Sequence, residues 1–160
     1  MVSTGDWRGD ELEMRVPCKA QYVGTIRRAV SEFAAFHNMT SADVEEMEIA
    51  ASEAVSNVVR HAYSGKICLP PVQVRCLHSK GAITVEISDD GQGFTAPADN
   101  IIPKVDFERE GGLGIILIKM LMDRVKLVSK PNEGTTLSMT KRMHRTVRHE
   151  AVLASISKNH

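Results

Sequence analysis

The amino-acid sequence predicts an α+β fold: a two-layer α/β sandwich with one mixed, mainly antiparallel sheet and helices on one of its faces. Two observations carry this. Short segments with alternating apolar residues are interleaved with longer segments whose apolar residues recur at helical spacing. The chain of 160 residues is also long enough for one domain with a sizeable core.

Glu11–Pro17 opens the series. Leu12, Met14 and Val16 alternate with polar neighbours, which marks a half-buried strand ending at the proline. Val23, Ile26, Val30, Phe33 and Ala34 define a helix over Gln21–His37. Thr40 or Ser41 caps the next helix, with Asp43 three residues after Thr40 as in a capping box. That helix runs to about His61. Val44, Met47, Ala51, Ala54, Val55 and Val58 form its inner stripe, while Glu53, Asn57, Arg60 and His61 share a different face.

Ser64-Gly65-Lys66 reads as a turn. Strands over Val72–Leu77 and Ile83–Ser88 follow, joined by a turn at His78–Gly81. Gly91 to Gly112 is weakly periodic, contains Pro97 and Pro103, and is long for a connection inside a compact domain; such loops are usually lids or disordered. Leu113–Met122 reads as a helix. Val125–Ser129 and Thr135–Lys141 close the domain as strands around the Pro131–Gly134 turn. Residues 1–10 are expected to be a disordered N-terminus, 11–142 the folded domain, and 143–160 a flexible or weakly helical tail.

Charge excludes several function classes. The 20 basic and 20 acidic residues cancel, which argues against a nucleic-acid or anionic-membrane footprint. No apolar run approaches the roughly 20 residues that span a bilayer, and Met1–Asp10 lacks the hydrophobic stretch of a signal peptide. A cytoplasmic protein is expected. Cys18, Cys68 and Cys76 have no metal-like spacing and are read as small buried thiols in a reducing compartment.

The chemistry concentrates in a few places. Glu53 and Asn57 lie four apart on a helix and point the same way. A carboxamide oxygen suits Mg²⁺, which takes few protein ligands beside phosphate oxygens. A carboxylate one turn earlier can orient or deprotonate a hydroxyl. Arg60 and His61 add donors toward phosphate. Taken alone, these residues are explained better by a solvated helix face; taken with the glycine loops, that explanation gives way. Asp89, at a strand end, can accept from an exocyclic amine, with Gly91 and Gly93 letting the chain bend beside it. An ordinary Asp-Gly hairpin turn explains that pattern about as well. Gly111-Gly112-Leu113-Gly114 leads into a helix whose exposed N–H groups favour anions. Thr135 and Thr136 offer hydroxyls, or are simply β-formers after a turn. There is no P-loop and no eukaryotic-type kinase signature. Bound ATP would need a different cradle.

The ordered set Glu53–Asn57, Asp89-x-Gly91-x-Gly93, Gly112-x-Gly114 and Gly134-Thr135-Thr136 resembles the GHKL (Bergerat-fold) ATP-binding family of gyrase, Hsp90, MutL and histidine kinases. More narrowly it is similar to the bacterial serine-protein kinases that double as anti-sigma factors, closer to the RsbW type than to the SpoIIAB type. Met14-Arg15-Val16-Pro17, Ser52-Glu53-Ala54-Val55-Ser56-Asn57, His61-Ala62-Tyr63 and Glu110-Gly111-Gly112-Leu113-Gly114 carry the narrower match.

The resemblance implies a protein serine kinase that uses ATP and Mg²⁺. Asn57 would hold the metal and Glu53 would be the catalytic base. Asp89 would read adenine beside Gly91 and Gly93. Gly112 and Gly114 would line the phosphate side, below a lid over roughly Thr95–Glu110. Thr135 or Thr136 would complete the pocket floor. The implied partners are a sigma factor, held inactive, and an anti-sigma-factor antagonist phosphorylated on serine. Arg27 matches a partner-contact position, and a homodimer is implied. Some relatives place an arginine where this chain has Glu110. Arg60, Lys104 or Arg109 are then the candidates for cationic help at the γ-phosphate. A non-catalytic module gripping its partner according to bound ATP, or a histidine-kinase-like ATP domain, are the other readings. For the latter, only Met1–Asp10 precede the first strand, which leaves no phosphoacceptor helix in this sequence.

Overall fold

The computed structural model describes residues 9–62, 70–95 and 112–143. Tyr63, the turn at Ser64–Lys66, Cys68, the proposed lid with Lys104, Arg109 and Glu110, and the tail beyond Met143 lie outside the described residues. The elements follow in the order β1 (Asp10–Val16), a 3-10 turn at Ala20–Tyr22, α1 (Val23–Phe36), α2 (Ser41–His61), β2 (Val72–Ser79), β3 (Ala82–Asp89), α3 (Gly112–Leu121), β4 (Arg124–Lys130) and β5 (Gly134–Arg142).

The sheet has the order β1-β2-β3-β5-β4, and every described pairing is antiparallel. The helices lie over it. Helix α1 packs on α2 and β2, α2 packs on β3 and β5, and α3 packs on α2 and β4. Strand alternation makes the two faces different. Ile83, Val85, Ile87 and Asp89 of β3 are buried, and so are Val72, Val74 and Cys76 of β2. The opposite face is polar. There Thr84 meets Thr140 at 2.9 Å, Ser88 meets Thr136 at 3.0 Å, and Arg75 bridges Glu11 and Glu86. Cys18 and Cys76 are buried, as the sequence suggests; burial pushes the Cys76 thiol up to about 12.

Local details refine the sequence reading. Thr40 caps α2: its Oγ1 accepts from the Asp43 backbone N–H at 3.1 Å and donates to Asp43 Oδ2 at 2.7 Å. The buried stripe of α2 adds Ala50 to the expected residues, and Val44 is only partly covered. Strand β2 runs to Ser79, so the hairpin closes through Lys80 and Gly81 alone, with φ of 53° and 72°. That is the two-residue turn whose twist suits paired strands.

One charged residue sits inside. Lys141 of β5 is 7% exposed. Its Nζ reaches Glu46, lies 3.7 Å from Asp43 Oδ1 and donates to the Leu121 carbonyl at 2.9 Å. Burial pulls its pKa down, but Glu46, Asp123 and Asp43 outweigh that and hold it above the ordinary lysine value. The ammonium thereby ties both α2 and the end of α3 to the sheet. Lys141→Ala is expected to lower the unfolding free energy by roughly 3 kcal/mol, because it strips the counter-charge from partly buried carboxylates. Urea denaturation near neutral pH checks this; a loss under about 1 kcal/mol would mean the bridge is dispensable.

Candidate functional site

A cavity of about 330 Å³ opens between α2 and the β3–β5–β4 part of the sheet. That is near the lower end of the roughly 300–1,000 Å³ typical of ligand clefts. Ala54, Asn57, Val58 and His61 of α2, with Ala62, line one side. Ile87, Asp89, Thr135, Leu137 and Leu127 of the sheet line the other, and Gly93, Phe94 and Ile115 complete the wall. The lining is largely apolar. Asn57, His61, Asp89 and Thr135 supply its polar side chains.

Asp89 lies at the C-terminal end of β3 on the helix-facing side and is 7% exposed. Burial raises its pKa above the ordinary carboxylate value; backbone N–H groups of Gly91 and Thr135 oppose the rise, and Asp90 adds to it. The Gly91 N–H donates to Asp89 Oδ1 at 2.8 Å. A Cβ at Gly91 would land on the Ala62 carbonyl oxygen and 2.6 Å from Asp89 Oδ1, so only glycine lets this loop pass beneath the end of α2. The loop is then fastened on both sides. Gln92 N–H donates to the Ala62 carbonyl at 2.9 Å, and Asn132 N–H donates to the Gln92 carbonyl at 2.6 Å.

Ser129 is a fastening that sequence reasoning missed. It is buried on β4. Its hydroxyl accepts from the Phe94 N–H at 2.9 Å, lies 2.8 Å from Thr135 Oγ1 and donates toward the Gly134 carbonyl at 3.2 Å. The signal was present in the alternation Val125, Leu127, Ser129, which puts the hydroxyl on the inner face.

Beside the cavity, α2 groups Glu53 and Arg60 with Asn57 of the lining. The Arg60 guanidinium lies 3.2 Å from Glu53 Oε1 and 3.4 Å from Asn57 Oδ1, while its Nε donates to the Ser56 carbonyl at 3.2 Å. A carboxylate and an amide oxygen thus converge on a single cation. Gly114, in the first turn of α3, lies directly against Glu53. A Cβ there would fall on the Glu53 carboxylate, 2.8 Å from its Cγ.

The sequence-selected residues therefore separate into groups. Asn57, Asp89, Gly93 and Thr135 line the cavity. Gly91 shapes the loop behind it, and Glu53, Arg60 and Gly114 gather beside it. Gly112 opens α3. Thr136 departs from expectation: strand alternation sends it to the opposite face of the sheet, beside Ser88, so Thr135 is the one available to the cavity. Arg27 is on α1, half exposed, and pairs with Glu48 of α2 at 3.1 Å. Among the described residues, no helix is long and apolar enough to cross a membrane.

Comparison with known proteins bears on the family and the fold. The family described as Histidine kinase-like ATPase domain matches residues 16–141. A serine-protein kinase RsbW of Staphylococcus aureus is 40% identical over 141 residues, covering 82% of this chain and 86% of that relative. The solved RsbU and RsbW domains of a Mycobacterium tuberculosis protein superpose with a TM-score of 0.66 at 20% identity, over 87% of this chain. This chain spans 34% of that longer structure, and the likeness is one of fold. The SiaB–SiaC complex of Pseudomonas aeruginosa gives a TM-score of 0.54 at 15% identity, over 84% of this chain and 90% of that one.

Two of the glycines at the site are expected to respond differently to alanine. Gly91→Ala meets backbone oxygen that cannot move away, and should cost roughly 1–3 kcal/mol of stability. Gly114→Ala meets a flexible side chain and gains helix propensity, so stability should stay within about 1 kcal/mol while Glu53 is displaced. Denaturant titration of both variants tests the contrast; equal losses would refute it.

Proposed function

The chain belongs to the histidine kinase-like ATPase domain family and within it to the serine-protein kinases of RsbW type; on that premise we propose that this cavity holds the adenosine of ATP and that α2 transfers its γ-phosphoryl group to a serine. The observation that carries the reading is the placement of buried Asp89 and of Asn57 in the lining of one cavity, with Glu53 joined to Asn57 through Arg60. The domain is taken as residues 11–142, flanked by 1–10 and 143–160.

In this reading Asp89 accepts from the exocyclic amine of adenine, and the apolar walls exclude water from the base. Glu53 orients the serine hydroxyl and receives its proton as the serine oxygen bonds to the γ-phosphorus and ADP departs. The donor set beside the cavity also suits Mg²⁺. Asn57 Oδ1 is a hard neutral oxygen already facing a cation, with a carboxylate beside it. Asn57 would hold the ion, which when bound neutralises charge on the phosphate oxygens. Arg60 would leave Glu53 and Asn57 for the triphosphate, and so both free the base and supply positive charge. Gly112 and Gly114, at the start of α3, lie on the phosphate side.

The protein substrate is proposed to be an anti-sigma-factor antagonist phosphorylated on serine, and the second partner a sigma factor that is held inactive. Arg27 is proposed as a partner contact. A homodimer is proposed to form at β1, an edge strand of the sheet. The protein is taken to act in the cytoplasm without direct nucleic-acid or membrane contact.

Incubation with γ-labelled ATP and a candidate antagonist tests the reading; transfer of label to a serine is expected. Label that stays on ATP while ATP binds normally would leave a non-catalytic gripping module instead. Glu53→Ala should retain nucleotide binding and lose roughly 10²–10⁴-fold in turnover. Loss of ATP affinity to the same extent would make Glu53 structural. Asp89→Asn keeps an acceptor for the Gly91 N–H and removes the buried charge, so stability should be held or raised at neutral pH while ATP affinity falls. For the unmodified protein, affinity should decline as pH falls through the raised Asp89 pKa, because protonation removes an acceptor from the amine. A pH-independent affinity down to about pH 4, the ordinary carboxylate range, would contradict this role.

A further inference from the structure

We propose that Asp10, His37 and His78 form a binding site for a divalent transition-metal ion of the Zn²⁺ type, separate from the nucleotide cavity. The three are distant in sequence. The β1–β2 register makes Asp10 and His78 cross-strand partners, and the end of α1 lowers His37 onto them. One ligand atom from each lies within 4.8 Å of the other two.

The second observation is His37 itself. Its side chain is 6% exposed, and its Nε2 is the buried side-chain polar atom that lacks a hydrogen-bond partner among the described residues. The closest anionic group, Asp10 Oδ2, is 3.7 Å away, too far for a hydrogen bond. A buried, unsatisfied imidazole nitrogen is costly unless something else occupies its lone pair or proton. Phe33 and Phe36 pack against the ring at centroid distances of 4.6 and 5.1 Å. Burial, then the neighbouring His78, lowers the His37 pKa, and Asp10 opposes the fall.

Two imidazoles and a carboxylate suit Zn²⁺, with water completing a tetrahedron. Zn–N and Zn–O bonds of about 2.0–2.2 Å place ligand atoms roughly 3.4 Å apart, so the cluster must contract slightly. The His37 and His78 rings are also stacked, with centroids 4.1 Å apart and planes at 24°. Stacked rings do not aim their lone pairs at one point, so His78 must turn about its χ2. Its partial exposure, and the 69% exposure of the Asp10 side chain, leave room for both movements. The bound ion would pin the first residue of edge strand β1 to the end of α1.

The test is calorimetric titration of ZnCl₂ into untagged, chelator-treated full-length protein without nucleotide, with thermal melts alongside. Wild type should take up one ion per chain and melt at a higher temperature with zinc. His78→Gln and Asp10→Asn, both at accessible positions, should fold and bind at least about tenfold more weakly, with the melting shift lost. Asn57→Ala should bind zinc as wild type does. Absence of stoichiometric uptake overturns the proposal, as does uptake that survives in His78→Gln and Asp10→Asn, which would point to a thiol, or uptake lost in Asn57→Ala, which would point to the nucleotide cavity.

Discussion

A carboxylate kept out of water at the end of β3 is the constraint around which this molecule is arranged. Burying Asp89 disfavours its charge. The fold answers with backbone N–H groups from Gly91 and from Thr135, directly across in β5. Those donors require a tight bend after the strand, and that bend passes so close to the end of α2 that no side chain fits at Gly91. Ser129 and Asn132 then hold the bend from the β4–β5 side. The acid, the glycines and the hydroxyls are therefore one unit. What remains unfilled beside it is the cavity.

Helix α2 sets a polar cluster beside this unit. Its inner face is rich in alanine, with Ala50, Ala51 and Ala54 buried, which lets a long helix lie close over the sheet. Its adjoining face carries Glu53, Asn57 and Arg60 as a single polar cluster. Gly114 brings α3 against Glu53, so the start of one helix and the carboxylate of another meet beside the cavity. The Lys141 bridge fixes both helices to β5 from beneath. Helix and strand rather than loops thus set the relation between Glu53, Asn57 and Asp89.

Much of this was legible in the sequence because it rests on periodicity and on residues with few roles. The strands and helices follow from alternation and helical spacing, and their ends differ from expectation by a residue or two. Thr40 and Asp43 announced the start of α2. The pairing of acid, amide and glycine loops picked out residues that the structure gathers in and beside one cavity. Three features were hidden for identifiable reasons. Thr135 and Thr136 are chemically alike, and only strand phase tells which one faces the helices. Lys141 reads as a surface lysine until its carboxylate partners arrive from α2, far away in the chain. His37 and His78 carry no local pattern at all; the β1–β2 register creates their meeting with Asp10.

The buried acid at the end of β3 is proposed to read the 6-amino group of a purine. Adenine presents a donor where guanine presents an acceptor, so the same carboxylate should attract one and repel the other. Calorimetric titration of the full chain with ATP and with GTP, each with Mg²⁺, measures this directly. One ATP per chain, with GTP at least about a hundredfold weaker, is the predicted result. Equal affinity for the two nucleotides, or no uptake of either by folded protein, would contradict it.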